Sequence, residues 1–286
     1  NLGRFFSLRS MTKISIIGLG WIGLPLAKLL QKEGHAVIGS TTSSEKLVRL
    51  KEEGVNAIQF ELAPFPQGRA FQELFTCEIL VINIPPRSRS VSGDFYLEQI
   101  KFLRSMIDQS AIKKVIFVSS TGVYPKENRE EAYTEIEAID KTNSGNLTIY
   151  KSELLVSENR NFELTIVRFG GLIGDDRIPG KYVAGKENIP GHTRVNFIYR
   201  TDAGKMLAWI IEKNLWNETY NGVAPIHSLR KDVYGKNAHE LGLEPPKSYQ
   251  NSSDSKDRLI SGDKIRTTGF EFDFPNPLDF PYSLET

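Results

Sequence analysis

The sequence is poor in cysteine and in long apolar runs, and neither sign of charge dominates it. Cys77 is the only cysteine among 286 residues, so no disulfide can form within the chain, and a reducing, cytoplasmic setting is expected. No apolar run approaches the ~20 residues that span a bilayer. Lys and Arg total 36 against 35 for Asp and Glu, which gives no reason to expect nucleic acid or an anionic membrane as a partner.

Histidine is also scarce, with 4 residues whose spacing matches no metal-binding motif, so no metal is expected. Residues 1–10 carry arginines and no acid and precede Met11, so they are interpreted as a leader or as added residues outside the fold. The remaining composition, 40% hydrophobic and 25% charged, is ordinary for a globular protein of enzyme size.

From Lys13 onward, short β-rich runs alternate with amphipathic helical stretches. Strands are predicted at 13–17, 35–40, 57–62, 78–84, 113–120 and 163–169, and helices at 24–34, 43–54, 95–109 and 147–160. Strands with a near-continuous apolar character are typical of a parallel sheet covered by helices on both faces. The sequence therefore predicts an α/β fold with a doubly wound parallel sheet of the Rossmann type.

The character of the sequence changes after Gly170, where Gly- and Pro-rich loops with short elements begin. A helix at 201–213, a short strand near 219–224 and a helix near 229–242 follow, and the tail from Pro275 is expected to wrap the surface. We predict a dinucleotide-binding domain over residues 11–170. A smaller C-terminal α/β substrate-binding part over residues 171–286 is expected to pack on it.

A glycine-rich turn lies between the first predicted strand and the first predicted helix. It reads Gly18-Leu19-Gly20-Trp21-Ile22-Gly23, the GxGxxG pattern of a dinucleotide-binding loop. In this pattern the first glycine allows a tight turn, the second lets the main chain approach a pyrophosphate, and the third allows close helix packing. Free N–H groups at the helix N-terminus then favour the phosphates. Cofactor contacts are predicted at Gly18, Gly20, Trp21, Ile22 and Gly23.

The end of the second predicted strand indicates which dinucleotide is preferred. An NAD site usually has Asp or Glu there to bind the ribose 2′-hydroxyl, whereas this sequence has Thr41, Thr42 and Ser43. Hydroxyl groups can bind a 2′-phosphate, and Lys46 adds a positive charge. We therefore expect NADP(H) to be preferred over NAD(H), although these hydroxyls can equally cap the next helix.

The end of the fourth predicted strand provides two more candidates. Asn83 is polar within an otherwise apolar strand and is expected near the dinucleotide together with Ile84. The alternative is that Asn83 is a polar strand-end residue that meets water.

Three later segments resemble a known family. They are Ser119-Ser120-Thr121-Gly122-Val123-Tyr124-Pro125, Arg168-Phe169-Gly170-Gly171-Leu172-Ile173-Gly174 and Val195-Asn196-Phe197-Ile198-Tyr199-Arg200-Thr201-Asp202-Ala203. In this order and spacing they are similar to segments of the extended short-chain dehydrogenases/reductases (SDRs). The likeness covers about residues 13–270. The spacing of Gly18 and Gly20 resembles the atypical, NAD(P)-dependent epimerase/dehydratase-like branch.

The resemblance implies roles for particular residues. Ser120 matches the hydroxyl that binds the substrate oxygen, and Tyr150 matches the tyrosine that acts as general acid/base. Gly170 matches a position where the main chain approaches the nicotinamide. Substrate contacts are expected at Tyr124, Gly171, His192 and Asn196.

The main departure from the family pattern is Leu154, which stands where the family has a lysine. A tyrosine ordinarily titrates near pH 10, so a base at neutral pH needs a nearby cation. Lys151 is adjacent to Tyr150, but one residue along a helix turns the side chain by about 100°. Arg87, Arg168 and Lys186 are the other candidate cations. Tyr150 and Tyr124 can equally be packing residues.

Three functions are compatible with these observations. The first is an NADP(H)-dependent oxidoreductase or epimerase/dehydratase-like enzyme that acts on a small hydroxyl- or carbonyl-bearing substrate, such as a sugar derivative. The second is a catalytically silent NADP(H)-binding sensor or regulatory protein, which the missing lysine favours. The third, a β-hydroxyacid or UDP-sugar dehydrogenase, depends on the glycine turn alone. A monomer or homodimer is expected.

Overall fold

In a computed structural model, the chain is described over residues 11–86, 92–127, 129–252 and 257–284. The predicted leader and Arg87 lie outside these residues. The chain divides into two compact units. The first unit comprises the described residues of 1–116 with 156–164, and the second those of 117–155 with 165–286. This division does not follow the boundary predicted at residue 170, because the chain returns to the first unit for 156–164.

The described strands are short, and most belong to one sheet. They are β1 (Lys13–Ile17), β2 (Ala36–Thr41), β3 (Ala57–Gln59), β4 (Glu61–Leu62), β5 (Pro66–Gln67), β6 (Ile79–Ile82), β7 (Lys114–Ser120), β8 (Glu163–Phe169), β9 (Gly171–Ile173), β10 (Phe197–Tyr199) and β11 (Thr219–Gly222). The main sheet is parallel and has seven strands in the order β11-β8-β7-β6-β1-β2-β3. The predicted Rossmann-type α/β fold is confirmed.

The first six described helices follow the predicted positions closely, and the seventh has no counterpart in the prediction. They are α1 (Gly23–Lys32), α2 (Ser44–Glu52), α3 (Gly93–Asp108), α4 (Leu147–Ser157), α5 (Arg200–Glu212), α6 (Arg230–Leu241) and α7 (Asp263–Arg266). No described helix combines the length and the apolar character needed to cross a membrane.

In the first unit, β1 is the central strand of its part of the sheet, and Ile14 pairs with Val37 of β2 and Ile79 of β6. Helix α1 buries Leu26 and Leu30. The prediction of a single strand at 57–62 is wrong. Strand β3 ends at Gln59, and residues 61–62 form a separate strand, β4, which pairs with β5 in an antiparallel hairpin. This part of the structure therefore places the glycine turn at the carboxyl end of a largely buried strand.

The second unit contains β9 and β10, which form a small parallel sheet of their own. The chain's tail returns to this region, where Phe280 is buried among aromatic rings and pairs with Tyr199 at a ring distance of 5.3 Å. Asp175 forms a β-bridge with Tyr282. The tail is thus part of the interior of the second unit as well as its surface.

Candidate functional site

The glycine turn of the first unit is held by the end of β2. The N–H of Gly18 donates to Ser40 Oγ over 3.1 Å, and the N–H of Leu19 donates to the Ser40 carbonyl oxygen over 2.7 Å. Gly18 has φ +103°, and a Cβ on it would lie 2.4 Å from the carbonyl oxygen of Asn83. Only glycine satisfies both the backbone conformation and this close approach.

The three glycines of the turn are needed for different reasons. A Cβ on Gly23 would lie 2.1 Å from the Gly18 carbonyl oxygen, so Gly23, like Gly18, is required by contacts within the protein. Gly20 is exposed, and a Cβ on it would meet no atom within 4 Å. Internal packing therefore does not explain Gly20. An absent side chain at this position leaves the main chain open to a ligand.

The N-terminus of α1 adds electrostatic character to this turn. Its N-cap residue, Ile22, makes no side-chain cap hydrogen bond, and the first turn carries no acidic residue. The partial positive charge of the helix N-terminus is therefore not opposed by a local carboxylate. Together with the open surface at Gly20, this arrangement suits a diphosphate group, so Gly18 to Gly23 could hold a dinucleotide.

The predicted cofactor residues at the end of β6 have defined partners. Asn83 Nδ2 donates to the Gly18 carbonyl oxygen over 3.1 Å, and the Ile84 carbonyl oxygen accepts a bond from the Tyr96 hydroxyl over 3.2 Å. Asn83 therefore fixes the glycine turn instead of only meeting water. Direct contact of either residue with a cofactor stays a prediction.

The hydroxyl groups after β2 divide into two kinds. Thr41 is buried and accepts a hydrogen bond from the Ser43 N–H, while Ser43 Oγ caps α2 by accepting from the Lys46 N–H. Helix capping, one of the two possibilities for this segment, is thus seen at Ser43. Thr42 is exposed, and no carboxylate occurs within β2 or between β2 and Glu45. Thr42 and Lys46 leave this strand end suitable for an anion.

In the second unit, Ser120 ends β7. Its Oγ accepts from the Gly122 N–H over 3.1 Å, which leaves the hydroxyl proton able to bind another oxygen. Tyr150 lies on α4, half-buried against the apolar cluster that contains Val123 and Ile149. Among the described residues, no hydrogen bond is seen for the Tyr150 hydroxyl, so this group is available for chemistry.

Among the described residues, no hydrogen bond links Tyr150 to any of the candidate cations. Leu154 is half-buried, Lys151 and Lys186 are exposed, and Arg87 lies outside the described residues. Arg168 forms a bidentate ion pair with Glu153, with Nη2 and Nε at 2.7 and 3.0 Å from the carboxylate oxygens. Its positive charge is therefore already paired with the carboxylate of Glu153.

Arg168 belongs to a buried polar network. Its Nη1 donates to the Tyr124 hydroxyl over 3.1 Å, and that hydroxyl donates to Asn221 Oδ1 over 2.8 Å. Ser119 Oγ donates to Glu153 over 2.6 Å. Burial opposes the charged form of Arg168, but the hydrogen bonds and negative charge of Glu153 outweigh it and raise the pKa of Arg168. The members of the network therefore satisfy one another inside the second unit.

Tyr124, expected to line a substrate pocket, is placed differently by the structure. Its side chain is 0% exposed, and burial raises the pKa of its hydroxyl despite the positive charge of Arg168. Because the hydroxyl is fully buried and gives its single proton to Asn221, it has no donor left for a ligand. The packing interpretation of Tyr124 fits this position.

Asn196 and the glycines at the end of β8 also have internal partners. Asn196 Nδ2 donates to the Arg258 carbonyl oxygen over 2.7 Å, and Asn196 Oδ1 accepts from the Ile260 N–H over 2.9 Å. A Cβ on Gly170 would lie 2.2 Å from the Asn196 carbonyl oxygen, and one on Gly171 would lie 2.5 Å from the Phe197 ring. These contacts explain the residues without a ligand.

The last predicted substrate residue, His192, is half-buried, and its ring packs edge-on against Tyr249 at 6.4 Å. Arg258, which the sequence analysis missed, is half-buried and donates from Nη1 to the carbonyl oxygens of Tyr124 and Pro125 over 3.0 and 3.3 Å. No motif marks this arginine; its place is set by contacts with residues distant in sequence.

Comparisons with known proteins agree with this geometry. Residues 13–145 match the family model for the NAD binding domain of 6-phosphogluconate dehydrogenase. Protein YeeZ from Escherichia coli K12 is 32% identical over 276 residues, which cover 95% of this chain and 99% of that protein. The chain belongs to the YeeZ family.

Solved structures show the fold of this YeeZ family member. A short-chain dehydrogenase/reductase superfamily protein from Agrobacterium tumefaciens with bound NAD has a TM-score of 0.71 and 17% identity, covering 92% of this chain and 93% of that chain. The human epimerase family protein SDR39U1 with NADPH has a TM-score of 0.69 and 17% identity, covering 93% of this chain and 96% of that chain. At such identity the likeness concerns the fold.

These comparisons confirm the resemblance to epimerase/dehydratase-like SDR proteins at the level of fold. The match to the 6-phosphogluconate dehydrogenase domain is confined to 13–145 and contains the glycine turn, whereas the SDR structures match more than nine-tenths of the chain. NAD(P) binding by this YeeZ family member is therefore supported.

Proposed function

We propose that this protein binds NADP(H) in preference to NAD(H) at the glycine turn of the first unit and uses it in oxidoreductase or epimerase chemistry. The observation that carries the proposal is Gly20, whose open surface is left unexplained by internal contacts. Beside it, the uncapped N-terminus of α1 offers N–H groups and a partial positive charge to phosphates.

The preference for NADP(H) is supported by the end of β2. Thr42 is exposed there, Lys46 follows in the first turn of α2, and the strand end itself carries no carboxylate, the first one being Glu45 on α2. Titration of NADPH and NADH at matched ionic strength should give at least roughly tenfold tighter NADPH binding, since a charged hydrogen bond contributes about 1.5–3 kcal/mol.

Thr42→Asp should reverse this order by placing a carboxylate at the strand end. Val48→Asp adds the same charge at an exposed position on α2 and serves as the matched control. Tighter NADH binding by the parent protein would overturn the preference.

The chemical step is assigned to the second unit. A bound nicotinamide supplies hydride exchange with a hydroxyl- or carbonyl-bearing carbon. In this proposal Ser120 donates a hydrogen bond to the substrate oxygen, and Tyr150 transfers a proton to or from it. These roles are supported by the Tyr150 hydroxyl, which makes no hydrogen bond among the described residues, and by the remaining donor of Ser120.

The enzyme assignment is tested by NADPH oxidation with a panel of carbonyl compounds and sugar nucleotides. Tyr150→Phe should lower turnover at least about a hundredfold, the usual contribution of a positioned acid/base. Tyr182→Phe removes a hydroxyl from an exposed ring and is the control. Undiminished turnover in Tyr150→Phe would exclude the proton-transfer role.

A catalytically silent NADP(H) sensor is the second candidate, and Leu154 is the observation that favours it. Without a cation on the Tyr150 face of α4, the SDR acid/base step loses its usual support. Tight NADPH binding combined with no turnover across the panel would favour this function over an enzyme.

A further inference from the structure

Arg258 differs from several other arginines of the second unit in lacking a carboxylate partner. Arg129, Arg168, Arg194 and Arg200 each form an ion pair with Asp or Glu. Within the described residues, Arg258 has no ion pair, and its only side-chain bonds run from Nη1 to two main-chain carbonyl oxygens. Burial lowers its pKa, and only Tyr133 acts in the opposite direction.

The remaining donors of this guanidinium have no bonded partner in the part of the chain that the structure describes. Nε and Nη2 make no hydrogen bond among the described residues, and neither is among the buried atoms that lack a partner. Arg258 as a whole is half-buried, so these two donors belong to a partly desolvated side chain that is not fully enclosed. A planar cation with two adjacent free donors matches the geometry of a carboxylate or a phosphate.

Arg258 is also held in place at both its side-chain tip and its main chain. Nη1 is fixed by the carbonyl oxygens of Tyr124 and Pro125, a few residues after Ser120 at the end of β7. The main chain of Arg258 is fixed by Asn196, whose amide bonds to residues 258 and 260. Two residues for which the sequence predicts substrate contact, Tyr124 and Asn196, therefore hold this arginine in place. Preorganisation of this kind lowers the entropy cost of binding.

We propose that Arg258 binds an anionic group, a phosphate or a carboxylate, of the substrate. That this anion belongs to a substrate rests on the proposed function, whereas anion binding by Arg258 does not depend on it. The proposal narrows the substrate class to hydroxyl- or carbonyl-bearing compounds that carry a negative charge. Cyclic or linear neutral alcohols would lack this contact.

The test uses the full chain with saturating NADPH, so that the glycine turn is occupied. Inorganic phosphate and malonate are titrated separately at constant ionic strength, and the melting temperature is followed. Both anions stabilise proteins generally by exclusion from the surface, so the decisive quantity is the difference between variants. Whichever anion gives the larger specific increment identifies the group as phosphate or carboxylate.

Arg258→Gln should weaken the specific anion effect roughly tenfold or more, because charged hydrogen bonds are lost. Arg266→Gln removes the same charge from an exposed arginine paired with Asp263 and should behave like the parent. Arg258→Lys should retain part of the effect. An equal anion increment in the parent and Arg258→Gln would overturn the proposal.

A second measurement does not depend on the stability of the variants. In parent protein labelled with ¹⁵N-arginine, the Arg258 Nε–H resonance, assigned by its absence from the spectrum of Arg258→Lys, should shift when the anion is added. No shift at anion concentrations of roughly 10 mM, enough to occupy a weak site, would also overturn the proposal.

The cofactor site provides the reference for both measurements. The NADPH dissociation constant of Arg258→Gln should equal that of the parent, because Arg258 is not part of the glycine turn. Failure of the parent to bind NADPH would refute the proposed function alone and leave the anion titration interpretable.

Discussion

The side-chain amide of Asn83 donates a hydrogen bond to the carbonyl oxygen of Gly18, and the two residues are 65 positions apart in the sequence. Through this bond the end of β6 fixes the conformation of the glycine turn that follows β1. A residue that does not need to touch a ligand can thereby control the shape of the site that binds it.

Asn83→Ala should weaken dinucleotide binding about fivefold and lower the free energy of unfolding by about 1 kcal/mol, the usual contribution of such a bond. Asn83→Asp should be worse, because a carboxylate would face a carbonyl oxygen. Fluorescence titration of NADPH and urea unfolding measure the two effects. Unchanged affinity in both variants would show that the bond is unimportant for binding.

Two glycine substitutions separate folding from binding. Gly20→Ala adds a methyl group where no atom lies within 4 Å, so unfolding should be unchanged while dinucleotide affinity falls roughly tenfold or more. Gly18→Ala forces an alanine to φ +103° against the Asn83 carbonyl, which should destabilise the protein by about 1–3 kcal/mol. Equal loss of stability in the two variants would contradict this assignment.

The buried ion pair of Arg168 and Glu153 predicts strongly unequal effects of single and double substitutions. Their side chains are only 10% and 7% exposed, so Glu153→Gln or Arg168→Met alone should cost about 3–5 kcal/mol by leaving one partner unpaired. The double variant should cost less than the sum of the two. Urea unfolding of all three variants gives the coupling, and simple additivity would refute it.

The carboxyl group of Glu135 predicts a pH dependence of stability. Burial raises its pKa, although the N–H of Asn221 donates to it over 2.7 Å and the charges of Lys264 and Arg168 lower it. Because the pKa of Glu135 is higher in the folded protein than its ordinary value of 4.5, folding favours the protonated carboxyl group. The free energy of unfolding is therefore highest, as far as Glu135 is concerned, below pH 4.5 and falls as the pH rises through the folded pKa.

Glu135→Gln keeps an oxygen acceptor and removes the titration. It should therefore raise the free energy of unfolding at pH 7 relative to the parent and leave it unchanged at pH 4. Urea unfolding at both pH values checks this. A loss of stability at pH 7 would mean that the ionised group is favourable in the folded protein.

Leu154→Lys restores the cation of the SDR pattern on the face of α4 that carries Tyr150. If the protein is an enzyme limited by proton transfer, turnover at pH 7 should rise about tenfold or more. Lys151→Leu, which removes an exposed lysine from the adjacent face, should leave turnover unchanged. An inactive parent whose Leu154→Lys variant is also inactive would favour the sensor.

Much of the first unit could be predicted because its signals are local. The glycine turn, the apolar strands and the Ser43 cap each depend on residues within a few positions of one another. The break at Phe60 was missed because a strand's continuation and a hairpin share the same apolar pattern.

The second unit was less predictable because distant contacts decide it. The Tyr124 hydroxyl finds its acceptor 97 residues away, and the Tyr124 carbonyl finds the Arg258 guanidinium 134 residues away. Neither partner carries a local signal, so the motif around Tyr124 does not reveal its internal hydrogen bonds or the unbonded donors of Arg258. Family motifs indicated the region but not which side chain faces outward.

The discontinuity of the first unit has a consequence for synthesis on the ribosome. Because residues 156–164 belong to it, the nascent chain cannot complete this unit until the polypeptide has been extended past residue 164. By then the segment 117–155 has already emerged, still without the residues beyond 164 that complete its own unit. During this interval the second unit is incomplete, and the apolar surface that it has not yet buried makes the growing chain prone to aggregation.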